Sequence, residues 1–256
     1  MGRATNYHLS MLKFFHGIRQ KLLSENKFSK YLLYAIGEIV LVVIGILIAL
    51  QINTWNEEQK SKALELNILK DLHNTLNADF ELLNWGIAGN ESAMESCKLV
   101  LAYLDQNKPY SDSLNFHFEN SHLWWKTILT TSAYERAKEH GLDFINDSLR
   151  KNLNSLYNLH LSFSETLNER EELYYYHTAS PILIQMFEST ELALDNTAIE
   201  GNHIPLDFEK LKASERYKSI LRTSIGNKKK LNTWLKFILN HMMDLDQGLK
   251  QAIEEY

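Results

Sequence analysis

The amino-acid sequence predicts an all-α protein, with one N-terminal transmembrane helix followed by an elongated periplasmic bundle of long antiparallel helices. The first observation is an apolar run over residues 31–52, which only Glu38 interrupts with a charge. The second is the scarcity of turn-forming residues, because the 256-residue chain has three prolines and ten glycines. The third is that apolar residues beyond the run recur at steps of three and four, the spacing of one helix face.

The apolar run has the length of a membrane-spanning helix. A helix over residues 31–52 extends roughly 33 Å, which exceeds the roughly 30 Å hydrocarbon core of a bilayer. Lys and Arg dominate the segment before the run, which predicts a cytoplasmic N-terminus. The chain then divides into a cytoplasmic basic segment (1–30), a transmembrane helix (31–52) and a periplasmic helical domain (53–256). A cleaved signal peptide is the weaker alternative, because the basic region is long and no small-residue cleavage pair follows Ala49.

The segment before the span has two interpretations. Met11, Phe15, Ile18 and Leu22 fall on one helical face, with basic residues largely off that face. A basic amphipathic helix of this kind lies on an anionic membrane surface. The alternative is an ordinary basic linker next to the membrane.

Charge separates the chain into two parts. Six of the 27 Lys/Arg and two of the 32 Asp/Glu precede residue 53, which leaves 21 and 30 and a net charge of −9 beyond it. An acidic domain argues against nucleic acid as a partner, since phosphate binding needs clustered positive charge. Cys97 is the only cysteine, so no intrachain disulfide forms. The expectation is a buried, inert thiol, with a bridge between two chains as the alternative.

Four residues share one face of the span: Glu38, Gly45, Ala49 and Asn53. Small residues let helices approach closely, so this face predicts self-association into a homo-oligomer. One hypothesis for Glu38 is ion coupling, or pairing with a basic residue of a polytopic membrane partner. The other is that it only helps helices associate. Trp55, just past the span, suits an aromatic anchor at the membrane interface.

The domain is predicted to begin as a continuation of the transmembrane helix. Apolar residues recur through residues 69–104, and Asn-Lys-Pro at residues 107–109 must end the helix. Gly86 and Gly89 are expected to loosen or bend it. A short strand is predicted within residues 109–122, where apolar and polar residues alternate.

Three further helical regions are predicted. The first covers residues 123–140 and ends at Gly141. The second is capped by one of residues 146–148 and runs toward Phe187, with a break near Pro181. After a loop over residues 189–206, the third continues from Asp207 to the C-terminus, with a possible break at Gly226 and a solvated lysine run at residues 228–230.

Two stretches resemble a known family. Residues 21–57 read KLLSENKFSKYLLYAIGEIVLVVIGILIALQIN, then Thr54, then WNE. This resembles the N-terminal signature of an uncharacterised membrane-protein family abundant in Bacteroidetes. Residues 131–141 are similar to a second, weaker pattern of that family, with Ala137 where leucine is expected. Family members usually begin near Met11. The resemblance implies a Gram-negative inner membrane and transfers no catalytic residue.

Two Glu-x-x-His pairs are the sharpest hint of chemistry, at Glu119/His122 and Glu200/His203. Such pairs on facing helices, with two more glutamates, hold di-iron centres in helical bundles. Both pairs fall in predicted loops, so neither a metal nor another cofactor is expected.

Aromatic residues offer a possible pocket. Trp124 and Trp125 are adjacent, and Tyr174, Tyr175 and Tyr176 form a run. Aromatic side chains dominate ligand pockets, although core packing is the commoner role.

The chain has no recognisable catalytic or nucleotide-binding motif. The main hypothesis is therefore a non-catalytic, membrane-anchored sensor or scaffold that self-associates through its span and presents a periplasmic bundle to a partner or ligand. One alternative is an accessory subunit of an ion-driven membrane complex that uses Glu38. Another is a periplasmic enzyme with an unrecognised site.

Overall fold

The computed structural model describes residues 28–188 and 203–256, and these are helical almost throughout. The predicted all-α class is confirmed: one long apolar N-terminal helix is followed by further helices. The predicted amphipathic stripe before the span lies outside the described residues. Glu200, of the second Glu-x-x-His pair, also lies outside them.

The first helix, α1, runs from Phe28 to Asp105. The predicted stop is confirmed, because the chain leaves the helix through Asn107, whose φ is 54°, just before Pro109. Gly86 and Gly89 do not interrupt α1. The chain divides into two compact units, Met1–Ala63 and Leu64–Tyr256, and α1 contributes residues to both.

The part of α1 in the first unit exposes its apolar side chains. Every Leu, Ile and Val over residues 32–52 is exposed, and the mean hydropathy of the most apolar 18-residue window is 2.7. Among the described residues this is the one helix long and apolar enough to cross a membrane.

The second unit adds seven helices and one pair of two-residue strands among its described residues. Two π-helical segments, Ser155–His160 and Tyr175–Ala179, join three of these helices into one continuous run from Asp147 to Leu183. The antiparallel strands pair Phe187 with Pro205 and Glu188 with Ile204. The bounds of the elements are α2 Leu114–His122, α3 Ser132–His140, α4 Asp147–Asn154, α5 Leu161–Tyr174, α6 Ser180–Leu183, β1 Phe187–Glu188, β2 Ile204–Pro205, α7 Phe208–Ala213 and α8 Glu215–Glu254.

Side-chain caps explain where three helices begin. Of the three predicted caps before α4, Asn146 is the one used, since its Oδ1 accepts a hydrogen bond from the Leu149 N–H at 2.8 Å. Asp207 caps α7 in the same way, and Ser214 caps α8. No break occurs at Gly226, so α8 is one helix of 40 residues.

Two predicted elements are wrong. Residues 114–122 form helix α2 rather than a strand: Leu114 and Phe118, four residues apart, are buried, while Phe116 between them is 58% exposed. The predicted helix over residues 123–140 is only half present, because residues 123–131 are not helical and α3 begins at Ser132.

The core of the second unit consists of two clusters. The first, here the aliphatic cluster, takes residues 68–87 of α1 and residues 231–252 of α8, with side chains from α3, α4 and the first π-helical segment. The second, the aromatic cluster, takes residues 97–104 of α1 and residues 217–221 of α8, with Phe118 among its other members. Because the clusters occur in opposite order along α1 and α8, these two helices are antiparallel.

Candidate functional site

Buried polar residues lie between the two clusters on α1, α5 and α8. On α1 they lie between Ile87 of the aliphatic cluster and Cys97 of the aromatic cluster, and on α8 they lie between Leu221 of the aromatic cluster and Leu235 of the aliphatic cluster. All are almost inaccessible to solvent. We call this set the polar layer: Asn90, Asn168, Glu171, Ser224, Lys228 and Asn232.

A lysine and a glutamate are buried together in the layer. Lys228 is 2% exposed, and its Nζ donates a hydrogen bond to Ser224 Oγ at 2.7 Å and lies 3.7 Å from Glu171 Oε1. Burial lowers the pKa of Lys228, and the negative charge of Glu171 opposes that shift. The predicted solvated lysine run is therefore wrong at Lys228, although Lys229 and Lys230 are exposed. The helical period explains why Lys228 is buried, because this residue lies one turn from buried Ser224.

The layer extends to the end of α2. The Ser121 carbonyl oxygen accepts from Ser224 Oγ at 3.4 Å and from Cys97 Sγ at 3.3 Å. Cys97 is fully buried, and burial raises the pKa of its thiol. The expected buried thiol is confirmed, and a raised pKa keeps it protonated and unreactive.

Two asparagines join α1 to α8. Asn90 Nδ2 donates to Asn232 Oδ1 at 3.1 Å, and Asn232 Nδ2 donates to the Ile87 carbonyl at 2.9 Å. Asn90 Oδ1 is left to accept from the backbone N–H of Trp125 at 3.1 Å. Reciprocal amide bonds fix the register of two helices, because sliding by one turn would leave each group buried without a partner.

The segment of residues 123–131, here the strap, lies along α1. At its other end the Thr130 N–H and Oγ1 donate to the two carboxylate oxygens of buried Asp79, at 2.9 and 3.2 Å. Asn90 and Asp79 are separated by roughly 16.5 Å of helix at ~1.5 Å per residue. Trp125 and Thr130 are separated by roughly the same length of extended chain at ~3.3 Å per residue. The strap is thus antiparallel to α1 and in register with it.

Two glycines of α1 make room for the strap. A Cβ at Gly89 would lie 2.4 Å from ring atoms of Trp125, and one at Gly86 would lie 2.5 Å from Thr127 Oγ1. The close approach explains both glycines, which the sequence had suggested as points of bending. The docked position also accounts for the failed helix prediction, since the backbone N–H groups of Trp125 and Thr130 donate to α1 side chains rather than to carbonyl groups of a helix.

A cleft of about 270 Å³ separates the strap from α5 and α8. The cleft could not be predicted from the sequence, because its walls meet only after the strap has docked. Its polar lining includes Asn168 of the polar layer and Thr127 of the strap. The full lining is Leu83, Lys126, Thr127, Ile128, Leu129, Thr131, Leu161, Ser164, Glu165, Asn168, Leu235 and Ile238.

The structure brings together part of the predicted aromatic set. The ring of Trp124 lies 5.2 Å from Tyr175 and 6.3 Å from Tyr176. Trp125 instead packs edge-on against Trp85 at 4.2 Å. Tyr174 and Tyr175 contact the aromatic cluster. None of the five predicted aromatic residues lines the cleft.

His203 of the second Glu-x-x-His motif lies against the first motif in the fold. Glu119 and His122 lie in α2 rather than in a loop, the Glu119 carboxylate contacts His203 Nδ1, and the rings of His122 and His203 are 5.8 Å apart. Burial, aided by the charge of Lys228, lowers the pKa of His122 to about 3. Burial also lowers the pKa of His203. Within residues 28–188 and 203–256, no three His, Cys, Asp or Glu side chains are grouped so as to hold a metal ion.

The predicted residues of the span lie on α1. Glu38 is partly buried, and Ala49, Asn53 and Trp55 are exposed. A Cβ at Gly45 would meet nothing within 4 Å. The packing of this helix therefore gives no reason for glycine at position 45.

Residues 38–95 match a family of unknown function, DUF6090. The match covers less than a quarter of the chain, from the apolar part of α1 to just past Asn90. It includes Asp79, Gly86, Gly89 and Asn90, the α1 residues that receive the strap. No curated protein and no solved structure matches the chain. A Bacteroidetes origin stays a prediction.

Proposed function

We propose that this chain is a non-catalytic sensor or scaffold of the bacterial inner membrane. Residues 31–52 anchor it, residues 1–30 face the cytoplasm, and the helical domain is periplasmic and binds a partner or ligand. The observation that carries the proposal is α1, which holds both the exposed apolar stretch and the first core residues of the domain. The match to a family of unknown function across this part of α1 is compatible with it.

Self-association through the span is the second part of the proposal. Glu38, Gly45, Ala49 and Asn53 fall on one helical face, and small residues there allow a second helix to approach closely. Gly45 has open space around its Cα, so close packing of a second copy of the helix against this position would explain why a small residue stands there.

A matched pair of glycine variants tests self-association. Gly37 lies in the same helix with the same open surroundings but about 80° away from Gly45. For the full-length protein in mild detergent, Gly45→Leu is expected to reduce the oligomer to a monomer in light scattering, and Gly37→Leu is expected to leave it intact. Equal oligomeric mass for both variants would contradict the proposal.

Partner binding is tested by purifying the full-length protein from native membranes and identifying what accompanies it by mass spectrometry. A protein recovered in fixed stoichiometry supports a scaffold. Recovery of the homo-oligomer alone supports a self-contained sensor.

A second candidate function is an accessory subunit of an ion-driven membrane complex. It is favoured by one observation, the carboxylic acid of Glu38 within the apolar stretch of α1. A polytopic protein should then co-purify, and Glu38→Gln should abolish ion-driven activity without changing expression or association. Wild-type behaviour of Glu38→Gln would eliminate this candidate.

A further inference from the structure

We propose that the cleft between the strap, α5 and α8 binds a small neutral organic molecule with an apolar body and one hydrogen-bond donor. This inference rests on the proposed role of the domain as a binding module, and it names the site and the class of ligand.

The shape and lining of the cleft suit a small, largely apolar molecule. Its volume of about 270 Å³ is near the lower end of small-molecule pockets, which begin at roughly 300 Å³. Half of the twelve lining residues are aliphatic, and they come from α1, the strap, α5 and α8. They are Leu83, Ile128, Leu129, Leu161, Leu235 and Ile238.

A buried polar atom inside the cleft points to the ligand's donor. Asn168 is 2% exposed, and its Oδ1 has no hydrogen-bond partner among the described residues. Leaving a buried acceptor without a partner costs more than a typical hydrogen bond contributes. A ligand N–H or O–H at Asn168 would supply the donor that the protein does not. Thr127 Oγ1 is also buried without a partner, but it lies against Gly86 of α1.

None of the residues that line the cleft offers a buried charge to pair with a charged ligand, which favours a neutral one. The two charged lining residues, Lys126 and Glu165, are both exposed, and Lys126 Nζ lies 3.7 Å from Glu172 Oε2. Glu171 does not line the cleft and lies next to Lys228. A charged ligand would therefore lose its hydration without gaining a buried opposite charge.

The placement of the polar atoms indicates how the ligand lies. Asn168 belongs to the polar layer, whereas Leu235 and Ile238 belong to the aliphatic cluster. A ligand donor at Asn168 thus directs the apolar body along α8 toward the aliphatic cluster. The strap closes the other side, held at its ends by Asn90 and Asp79.

Indole and benzofuran are a matched pair of probes, because they have the same ring shape and only indole carries an N–H donor. Full-length protein in lipid nanodiscs is dialysed against each probe, and empty nanodiscs give the amount taken up by lipid. Saturable binding of indole is expected at one site per chain, with benzofuran at least about tenfold weaker because it cannot donate to Asn168.

Variants locate the binding. Asn168→Leu removes the acceptor and is expected to weaken indole binding at least about tenfold, whereas Thr166→Val, on the exposed side of the same helix, should leave it unchanged. Asn168→Ala removes the same acceptor without adding volume, so it provides a second test if Asn168→Leu does not fold.

The result that overturns the inference is indole binding that is absent, matched by benzofuran, or retained by both cleft variants. None of these results bears on self-association, since the Gly45→Leu and Gly37→Leu variants test that separately in mild detergent. If Gly45→Leu and Gly37→Leu instead have the same oligomeric mass while indole still binds more tightly than benzofuran, self-association is rejected and the proposed binding site is retained.

Discussion

The aliphatic cluster and the polar layer occupy neighbouring sections of the same long helices, yet they are stabilised in different ways. The cluster buries Leu and Ile side chains, whose transfer from water is favourable in almost any packing arrangement. The layer buries an ion pair and amides, whose burial is tolerated only when specific partners meet. The cluster therefore supplies stability, and the layer determines which alignment of α1, α5 and α8 is stable.

The largest expected effect comes from removing one member of the buried ion pair. Lys228→Met leaves Glu171 buried without a positive partner and should lower the free energy of unfolding by about 3–5 kcal/mol. Urea unfolding of the full-length protein in detergent, followed by tryptophan fluorescence, measures it. The double variant Lys228→Met/Glu171→Leu should recover most of the loss, because no unpaired charge remains. A double variant no more stable than the single one would show that the pair itself stabilises the fold.

A cavity in the aliphatic cluster should cost nearly as much but for a different reason. Leu245 is fully buried, so Leu245→Ala removes apolar contacts and should lower the free energy of unfolding by about 2–5 kcal/mol. The same urea titration applies. Leu245→Met conserves volume and should cost less than about 1.5 kcal/mol. Similar losses for alanine and methionine would mean that shape matters more here than burial.

The contact between Asp79 and the strap tests whether a polar group holds the strap in place. Asp79→Ala leaves the Thr130 N–H without its acceptor and should cost about 1–3 kcal/mol. Burial raises the pKa of Asp79, so its charge is unfavourable inside the protein and Asp79→Asn, which keeps an acceptor oxygen, should cost less than alanine. Hydrogen exchange of residues 123–131 should increase in the alanine variant only. Unchanged exchange there would show that other contacts hold the strap.

The smallest expected effect is a pH dependence that the aliphatic cluster cannot produce. The pKa of His122 falls from 6.5 to about 3 on folding, so the unfolded chain binds the proton more readily. Its contribution to stability is present above pH 6.5 and is lost as the pH falls toward 3. Between pH 7.5 and 6 this amounts to about 0.8 kcal/mol.

The variant His122→Phe isolates this contribution. Phenylalanine keeps the packing against Phe187 and Tyr217, whose rings lie 6.2 and 5.9 Å from His122, and it does not titrate. The difference in unfolding free energy between the two pH values should shrink by about 0.8 kcal/mol in the variant. His203 retains some dependence, since burial also lowers its pKa. An equal pH dependence in both proteins would assign the titration to other groups.

Local sequence patterns predicted the helices with continuous apolar spacing. α1 and its end before Pro109, the Asn146 cap and the long C-terminal helix all follow from residues within one or two turns of each other. The pattern failed at α2, where alternating apolar residues also fit a helix face, since Leu114 and Phe118 are four residues apart. It failed again at the strap, which has helical spacing but no helix.

The sequence by itself determined the all-α class and the apolar stretch of α1, because helical periodicity and hydropathy are properties of neighbouring residues. Only the tertiary structure decided that Lys228 is buried beside Glu171, that Glu119 contacts His203, and that the strap leaves a cleft beside Asn168. Each of these joins residues that are distant in the chain. Whether a polar side chain is buried depends on which partner reaches it, and that is fixed only when the helices pack.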